Sequence, residues 1–410
     1  MKIEQVRTQD RRFRLPAGAG SDAVHRDPQY AYAVTELVAS DGSVGTGFAF
    51  TLGGGNQLVC ETAEWIARDL RGCDVEVLMA EFGDWQMRAA NAQDLRWLGP
   101  HKGVVQLALA SVTNACWDLW SQLRGKPLWR LLLDLPTEAL LRTLDFSYTE
   151  DLLSRGEAAA MIEKVRETRP ARTGVLSTGY PGYDTSVGWF NYGDEELADN
   201  VRRSREAGFT AFKLKVGSPE IERDVRRARI MRQAAGAEAR VMVDANQQWT
   251  VAEAIEFAAK ARELDLYWIE EPTHPDDCLG HAHIARAIAP VKVATGEHLP
   301  NRVVFKNYLQ AGAMAFCQVD AVRVAGVSEF LVVSMLARAS AVPVVPHVGD
   351  MGQLHQHLVL FNHIGLGHEV VFLEHIPHLR AHFAEPVELT AGRYRCPDAP
   401  GASCRLLPAD

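Results

Sequence analysis

The chain has 410 residues, 47% of them hydrophobic and 23% charged, and its formal net charge is −9. That length supports more than one domain and a large core, and the composition is that of a soluble globular protein. The acidic balance argues against nucleic acid or an anionic membrane as a partner, but not against an anionic small molecule, because a metal or a few lysines can reverse the local field.

Seven cysteines (60, 73, 116, 278, 317, 396 and 404) are an odd, widely spaced set with no C-x-x-C, as expected of reduced thiols in a cytoplasmic protein. The first fifteen residues contain no apolar signal core, and no run reaches the ~18 apolar residues of a membrane span.

Residues 1 to about 15 alternate as an edge strand would. A Gly-rich loop follows from Pro16 to Tyr30. Tyr32–Ser40 and Gly45–Leu52 read as a hairpin about Asp41-Gly42, and Gly53-Gly54-Gly55 ends it as a turn, since no G-K-[ST] follows. Residues 57–83 and 103–124 have helical apolar spacing, the second stopped by Gly125-Lys-Pro127. Residues 1 to about 137 are therefore expected to form an α+β unit.

From Leu141 the pattern changes. Arg142–Tyr148 reads as a strand, and the Gly/Pro- and aromatic-rich stretch Thr178–Trp189 as a functional loop. A helix runs from about Asp194 to Gly208. Strands follow at Phe212–Val216, Arg240–Ala245, Leu266–Glu270, Lys292–Thr295, Phe316–Asp320, Val342–His347 and Val370–Glu374, separated by helical patterns. The clearest of these begins with the capping box Thr250/Glu253. Eight such units imply a closed parallel barrel.

The strand ends carry Lys215, Asp244, Glu270, Glu297, Asp320, His347 and Glu374, at intervals of 23 to 29 residues. Each lands one βα unit after the last, so all seven project into the rim where barrel active sites sit. Three converging carboxylates, Asp244, Glu270 and Glu297, resist joint ionisation unless a cation joins them, and an all-oxygen set favours Mg²⁺. Asn246, Glu271 and His298 flank them. Lys213 and Lys215 share one strand face, so the neighbouring ammonium and the cation are expected to depress the Lys215 pKa and free it as a base. His347, five strands on, faces it, and Asp320 can hold its Nδ1–H. A base and an acid across a carboxylate-bound cation suit removal of a proton α to a carboxylate. The His-x-His pairs at 281–283 and 355–357 are expected to be surface or supporting histidines, since i,i+2 residues on a helix do not share a face.

The motifs Lys213-x-Lys215, Val243-Asp-Ala-Asn246, Trp268-Ile-Glu-Glu-Pro272, Gly296-Glu-His298, Gln318-Val-Asp320 and Pro346-His347 resemble the mandelate racemase subgroup of the enolase superfamily. Gly20–Ala23, Arg96–Pro100, Ser186–Trp189, Glu270–Asp277, Leu279–His281, Thr295–His298 and Asn301-Arg302 are similar to L-fuconate dehydratases. The resemblance implies a capping domain over residues 1–137, completed by 378–410, and a modified (β/α)7β TIM barrel over 138–377. It implies a Mg²⁺-dependent hydro-lyase of carbohydrate catabolism that turns an aldonic acid into a 2-keto-3-deoxy acid, and a symmetric homo-oligomer. In that scheme Lys215 takes the C2 proton, His347 with Asp320 protonates the leaving 3-hydroxyl, and Asp244, Glu270 and Glu297 hold Mg²⁺. Lys213 and Glu374 meet the substrate carboxylate, Asn246 and His298 also bind substrate, and Asp22 and Trp97 meet its distal end. Pro346–Gln353 departs from the family pattern, and Asp350 is expected to place an extra carboxylate beside His347. The same Lys/His pair also serves racemases and epimerases. A non-catalytic descendant would have lost part of this set, and a Zn²⁺ metallohydrolase would rest on the His-x-His pairs.

Overall fold

The computed structural model describes residues 1–408. Its first layer is an antiparallel sheet of β1 (Ile3–Phe13), β2 (Tyr30–Ala39) and β3 (Val44–Leu52), in that order. Helices α1 (Asn56–Ala67), α2 (Val75–Ala80), α3 (Phe82–Ala90) and α4 (Gly103–Leu123) cover it, and the apolar faces of sheet and helices merge into one core. Short helices α5 (Leu128–Asp134), α6 (Thr137–Arg142), α7 (Arg155–Arg166) and α8 (Val175–Thr178) lead to the barrel.

The parallel strands are β4 (Tyr180–Gly188), β5 (Ala211–Lys215), β6 (Arg240–Asp244), β7 (Trp268–Glu270), β8 (Lys292–Thr295) and β9 (Phe316–Cys317), then a single bridge at Val344, then β10 (Leu373–His375), which pairs with β4. Helices α9 (Asp194–Glu206), α10 (Ile221–Ala235), α11 (Val251–Lys260), α12 (Cys278–Ala287), α13 (Arg302–Gln310), α14 (Val327–Ala339) and α15 (Leu354–Phe361) alternate with them. This is the modified (β/α)7β barrel with its α+β cap. After β10 a small hairpin, β11 (Leu389–Thr390) and β12 (Arg393–Tyr394), lies against the start of β4.

The number of barrel positions agrees with the sequence reading, but the first strand does not. Arg142–Tyr148 is not a strand. It ends α6 and continues as an irregular segment, clamped by Arg302 through Asp145 and the Ser147 carbonyl. The strand lies at Tyr180–Gly188, within the stretch read as a loop. Its Pro and Gly residues serve close backbone approaches there. Pro181 pairs with Arg393, and Gly182 N–H donates to the Gly392 carbonyl at 2.8 Å. A Cβ on Gly188 would lie 2.6 Å from the Lys213 carbonyl oxygen.

All seven cysteines are free thiols. Among the described residues no helix is long and apolar enough to cross a membrane.

Candidate active site

Strand alternation sorts β5 into two faces. Phe212, Leu214 and Val216 pack outward against the barrel helices, while Lys213 and Lys215 point inward. Register then aligns the chemistry. Lys215 pairs with Asp244 and Asp244 with Glu270, so these three side chains form one row across three strands. Lys213 sits a layer lower, beside Met242 and Trp268, over an apolar floor that includes Tyr183, Phe316 and Val345. Glu297 and Asp320 follow β8 and β9. His347 follows the Val344 bridge.

Lys213 is fully buried. Its Nζ lies 2.6 Å from Glu270, 2.8 Å from Glu374 and 3.6 Å from Asp244. Lys215 Nζ donates to Asp244 Oδ2 at 2.5 Å. Burial disfavours both ammonium groups, but these carboxylates outweigh it and raise both pKa values. Lys213 lowers the Lys215 pKa, as expected, but Asp244, Glu297 and Asp22 together outweigh it, and Asp244 and Glu297 are among the carboxylates that would bind the cation. Burial pushes Glu270 up, reinforced by Asp244, Glu374 and Glu297.

His347 closes the opposite wall. Its Nδ1 lies 2.8 Å from Asp320 Oδ2, and its Nε2 lies 3.3 Å from Glu297 Oε2. Burial lowers the imidazole pKa, but Glu297 and Asp320 overcome this and hold it up at about 9. Asp320 accepts further from Val322 N–H at 2.8 Å, and His347 and His355 together hold its carboxyl well below the usual range against burial.

These groups surround a cavity between the barrel and the cap. Lys215, Glu297, His347, Glu374, Asn246, Gln247, His298 and Arg323 line its barrel side. Asp244, Glu270 and Lys213 lie buried beneath it. The cap adds Asp22 and His25 from the loop, with Tyr30, Phe50 and Leu52 from β2 and β3. Asp22 accepts from Val24 and His25 backbone N–H at 2.7 and 2.6 Å. Met351, Ile376 and Leu379 add apolar surface to that of the cap residues Tyr30, Phe50 and Leu52.

Three expected positions lie elsewhere. Lys213, expected to meet the substrate carboxylate, is fully buried beneath the cavity and pairs with Glu270 and Glu374 instead. Trp97 is 98% exposed and stands outside the cavity. Asp350 turns away from His347: its Oδ2 accepts from His375 Nδ1 at 2.9 Å and from Ile376 N–H. The His-x-His pairs do not converge on a common point. His281 Nδ1 contacts the Asp277 carbonyl and His283 is exposed, while His355 meets Asp320 and His357 meets Trp129 N–H.

Arg323 was not singled out by sequence reasoning. It lines the cavity, and its buried Nε has no protein partner. Only its place three residues after Asp320 could have flagged it.

Oxygens of Asp244, Glu270 and Glu297 come within 4.8 Å of one another, and the set is buried and offers only carboxylates. Such a donor set fits Mg²⁺, with water or substrate oxygens completing its shell. A capped β/α barrel with three metal-binding carboxylates, a lysine on one wall and an Asp–His pair on the other defines a class of metal-assisted carbon-acid enzymes. Residues 196–409 match the family described as enolase C-terminal domain-like, and the chain belongs to the enolase superfamily. It is 39% identical to human mitochondrial enolase superfamily member 1, covering 99% of this chain and 94% of that one. The crystal structure of that human protein superposes with a TM-score of 0.95 at 38% identity, over 99% of this chain and 94% of that chain. L-galactonate dehydratase of Hypocrea jecorina is 38% identical over 99% of this chain and 92% of its own length. L-talarate/galactarate dehydratase of Salmonella typhimurium LT2, solved with Mg and L-lyxarohydroxamate, is 28% identical with a TM-score of 0.79, covering all of this chain and 91% of that one. Mg²⁺ is the ion this acidic set takes.

Proposed function

We propose that the chain is a hydro-lyase that dehydrates an aldonic acid, L-fuconate or a close stereochemical relative, to a 2-keto-3-deoxy acid. One observation carries the reading: Lys215 and His347 face each other across a cavity floored by Asp244, Glu270 and Glu297. In this reading residues 1–137 with 378–410 are the cap and 138–377 the barrel, and the enzyme works in the cytoplasm as a homo-oligomer.

Lys215 takes the C2 proton once it is the neutral amine; Asp244 and Glu297, the carboxylates that hold its own proton, are two of those that would bind Mg²⁺, which would offset their charge. His347, as the imidazolium, gives its Nε2 proton to the 3-hydroxyl, which leaves as water while the C2–C3 double bond forms. The resulting enol tautomerises to the 2-keto acid. Asp320 keeps the His347 proton at the nitrogen that faces the substrate. Mg²⁺ supplies Lewis-acid stabilisation of the charge that develops on the substrate carboxylate. Asn246, His298 and Arg323 meet hydroxyl or carboxylate oxygens, and Glu374 orients the reacting end. Lys213 holds Glu270 and Glu374 in place. Asp22 meets the distal hydroxyls.

The apolar wall of Tyr30, Phe50, Leu52, Met351, Ile376 and Leu379 supports a terminal methyl, as in a 6-deoxy acid. A second carboxylate against that wall would be desolvated and would face Asp22. The relatives named as L-galactonate and L-talarate/galactarate dehydratases support the reaction type. The test is product NMR with Mg²⁺ on L-fuconate, L-galactonate, D-arabinonate and L-lyxonate. A 2-keto-3-deoxy product is expected. A C2 epimer in its place would make the enzyme an epimerase, and no turnover of any of the four would sink the reading.

A further inference from the structure

His347 is carried by an irregular segment, and the backbone directly after it is strained. Val348 is β-branched and buried, yet its φ is +53°, in the left-handed region that such side chains rarely adopt. A residue persists there only where its surroundings over-determine it. Val348 N–H donates to Glu374 Oε2 at 3.1 Å, and Gly349 N–H donates to the Glu374 carbonyl at 2.8 Å. Gly349 approaches β10 so closely that a Cβ on it would stand 2.9 Å from that carbonyl oxygen.

Asp350 follows, and its side chain is buried. Its Oδ2 accepts from Ile376 N–H, and His375 Nδ1 lies 2.9 Å from the same oxygen. An ionised carboxylate only accepts, so His375 carries a proton on Nδ1 and donates it. The His375 ring is itself held by stacking on Phe209, with 5.1 Å between centroids. Residues 348–350 are thus tied in order to residues 374–376. Asp350 Oδ1 has no partner, so burying this carboxylate costs stability that an apolar side chain would not. What the carboxylate supplies in return is the tie to β10.

We propose that Asp350 is a positioning residue for the elimination step: it pins the strained segment after His347 to the end of β10, so that His347 stays on Asp320 and Val348 N–H stays on Glu374. Without Asp350, two backbone N–H bonds alone hold the left-handed turn. The Val348 peptide can then relax, and it carries His347 with it. Misplacing a reacting group in this way costs roughly 10–100-fold. The inference rests on the reading of His347 as the acid. Lys215 stands on β5, outside the pinned segment, and Lys213 still holds Glu374 Oε1 at 2.8 Å, so removal of the C2 proton is spared.

Two variants separate pinning from packing. Asp350→Leu fills the space and accepts no hydrogen bond, whereas Asp350→Asn keeps an accepting oxygen. Hydrogen–deuterium exchange of the free enzyme, read by mass spectrometry, is expected to quicken ~10-fold or more over 347–351 in the Leu variant. The Asn variant should stay near wild type, and unchanged exchange in the β1–β3 sheet shows that the chain is folded. Wild-type protection of 347–351 in the folded Leu variant would overturn the pin whether or not any sugar acid is a substrate. If the Leu chain does not fold, His375→Phe keeps the stack on Phe209 and removes the Nδ1–H donor. The same loosening of 347–351 is expected there, and its absence would equally overturn the pin. In D2O with the aldonic acid that the wild type dehydrates, Asp350→Leu is expected to lower kcat for elimination roughly 10–100-fold, with KM little changed and exchange of the C2 proton retained. Asp350→Asn is expected to recover most of the rate. Equal rates for Leu and Asn, or equal loss of exchange and elimination, would show that Asp350 only fills space.

Discussion

Arg323 is a cation in a cavity whose other charges are mostly carboxylates. Its side chain lines the cavity, where the guanidinium offers donors to a substrate oxygen. Arg323→Met keeps the apolar stem and removes the donors. KM is expected to rise ~10-fold or more with kcat changed less, as steady-state kinetics will show; an unchanged KM would remove Arg323 from the binding set. At His347 the sign follows from its raised pKa. The imidazolium is the acid, so kcat falls as pH rises through the His347 pKa, which Glu297 and Asp320 hold up. The same shift stabilises the fold below the ordinary histidine value of ~6.5, and that contribution is lost as pH rises through about 9. Asp320→Asn removes one of the three carboxylate charges that hold the pKa up, so the alkaline limb of the kcat–pH profile should move to lower pH. A limb that stays in place would mean that another group titrates. At this scale the strand-end residues were legible because chain position alone dictates them: β/α periodicity places every strand end on one rim. Arg323 and His355 were not, because each lies within a loop or helix, where sequence does not say which way a side chain turns. Trp97 and Asp350 failed for the same reason.

The elements were legible where hydrophobic period and punctuation agree, as in β5 or at the Thr250/Glu253 cap, which forms a full capping box. They misled where tertiary packing overrides local signals. Tyr180–Gly188 carries turn residues yet forms β4, because neighbouring backbones approach too closely for side chains. Arg142–Tyr148 alternates like a strand yet has no strand partner, because Arg302 holds Asp145 and Ser147 instead. Gly217, just beyond β5, shows how an element end tunes the site. Its φ is +98°, and a Cβ there would lie 2.5 Å from the Ala245 carbonyl oxygen and 3.0 Å from Ala23 Cβ on the cap loop. Gly217→Ala adds left-handed strain of about 1–2 kcal/mol and a clash with fixed backbone, so a loss of roughly 2–4 kcal/mol is expected in chemical denaturation. The displaced strand end also carries Lys215, and the displaced loop carries Asp22, so KM should rise and kcat should fall together. Wild-type stability in the variant would mean that the cap loop yields freely.

The whole molecule joins two cores through one return of the chain. Eight residues after Glu374, the His382 ring meets Tyr32 of β2, with 2.8 Å between Nδ1 and Oη. Phe383 packs on Tyr32 and Phe48 at ring distances of 5.7 and 5.4 Å. Further on, Ala402 N–H donates to Asp118 of α4 at 2.6 Å, and Gly401 bridges Pro127. The barrel rim and the cap that complete the cavity are therefore held together independently of substrate, which is why a cation at the rim should report on the entire fold. Asp244, Glu270 and Glu297 converge only in the folded chain, where Lys213 and Lys215 pair with Asp244 and Glu270 and His347 lies against Glu297. An ion that binds this arrangement and not the unfolded chain stabilises by RT ln(1 + [Mg²⁺]/Kd), about 2.7 kcal/mol at a hundredfold excess over Kd. With an unfolding entropy of ~2.1 cal/mol/K per residue, a chain of this length should gain roughly 3 °C in Tm. Scanning calorimetry over a Mg²⁺ titration reads this directly, with EDTA as the zero point. Glu297→Gln should flatten the titration without unfolding the protein, because Glu297 lines the cavity and makes no buried lysine pair. If the wild type shows no Mg²⁺-dependent rise, or if the Gln variant keeps all of it, the three carboxylates are not the ion's site.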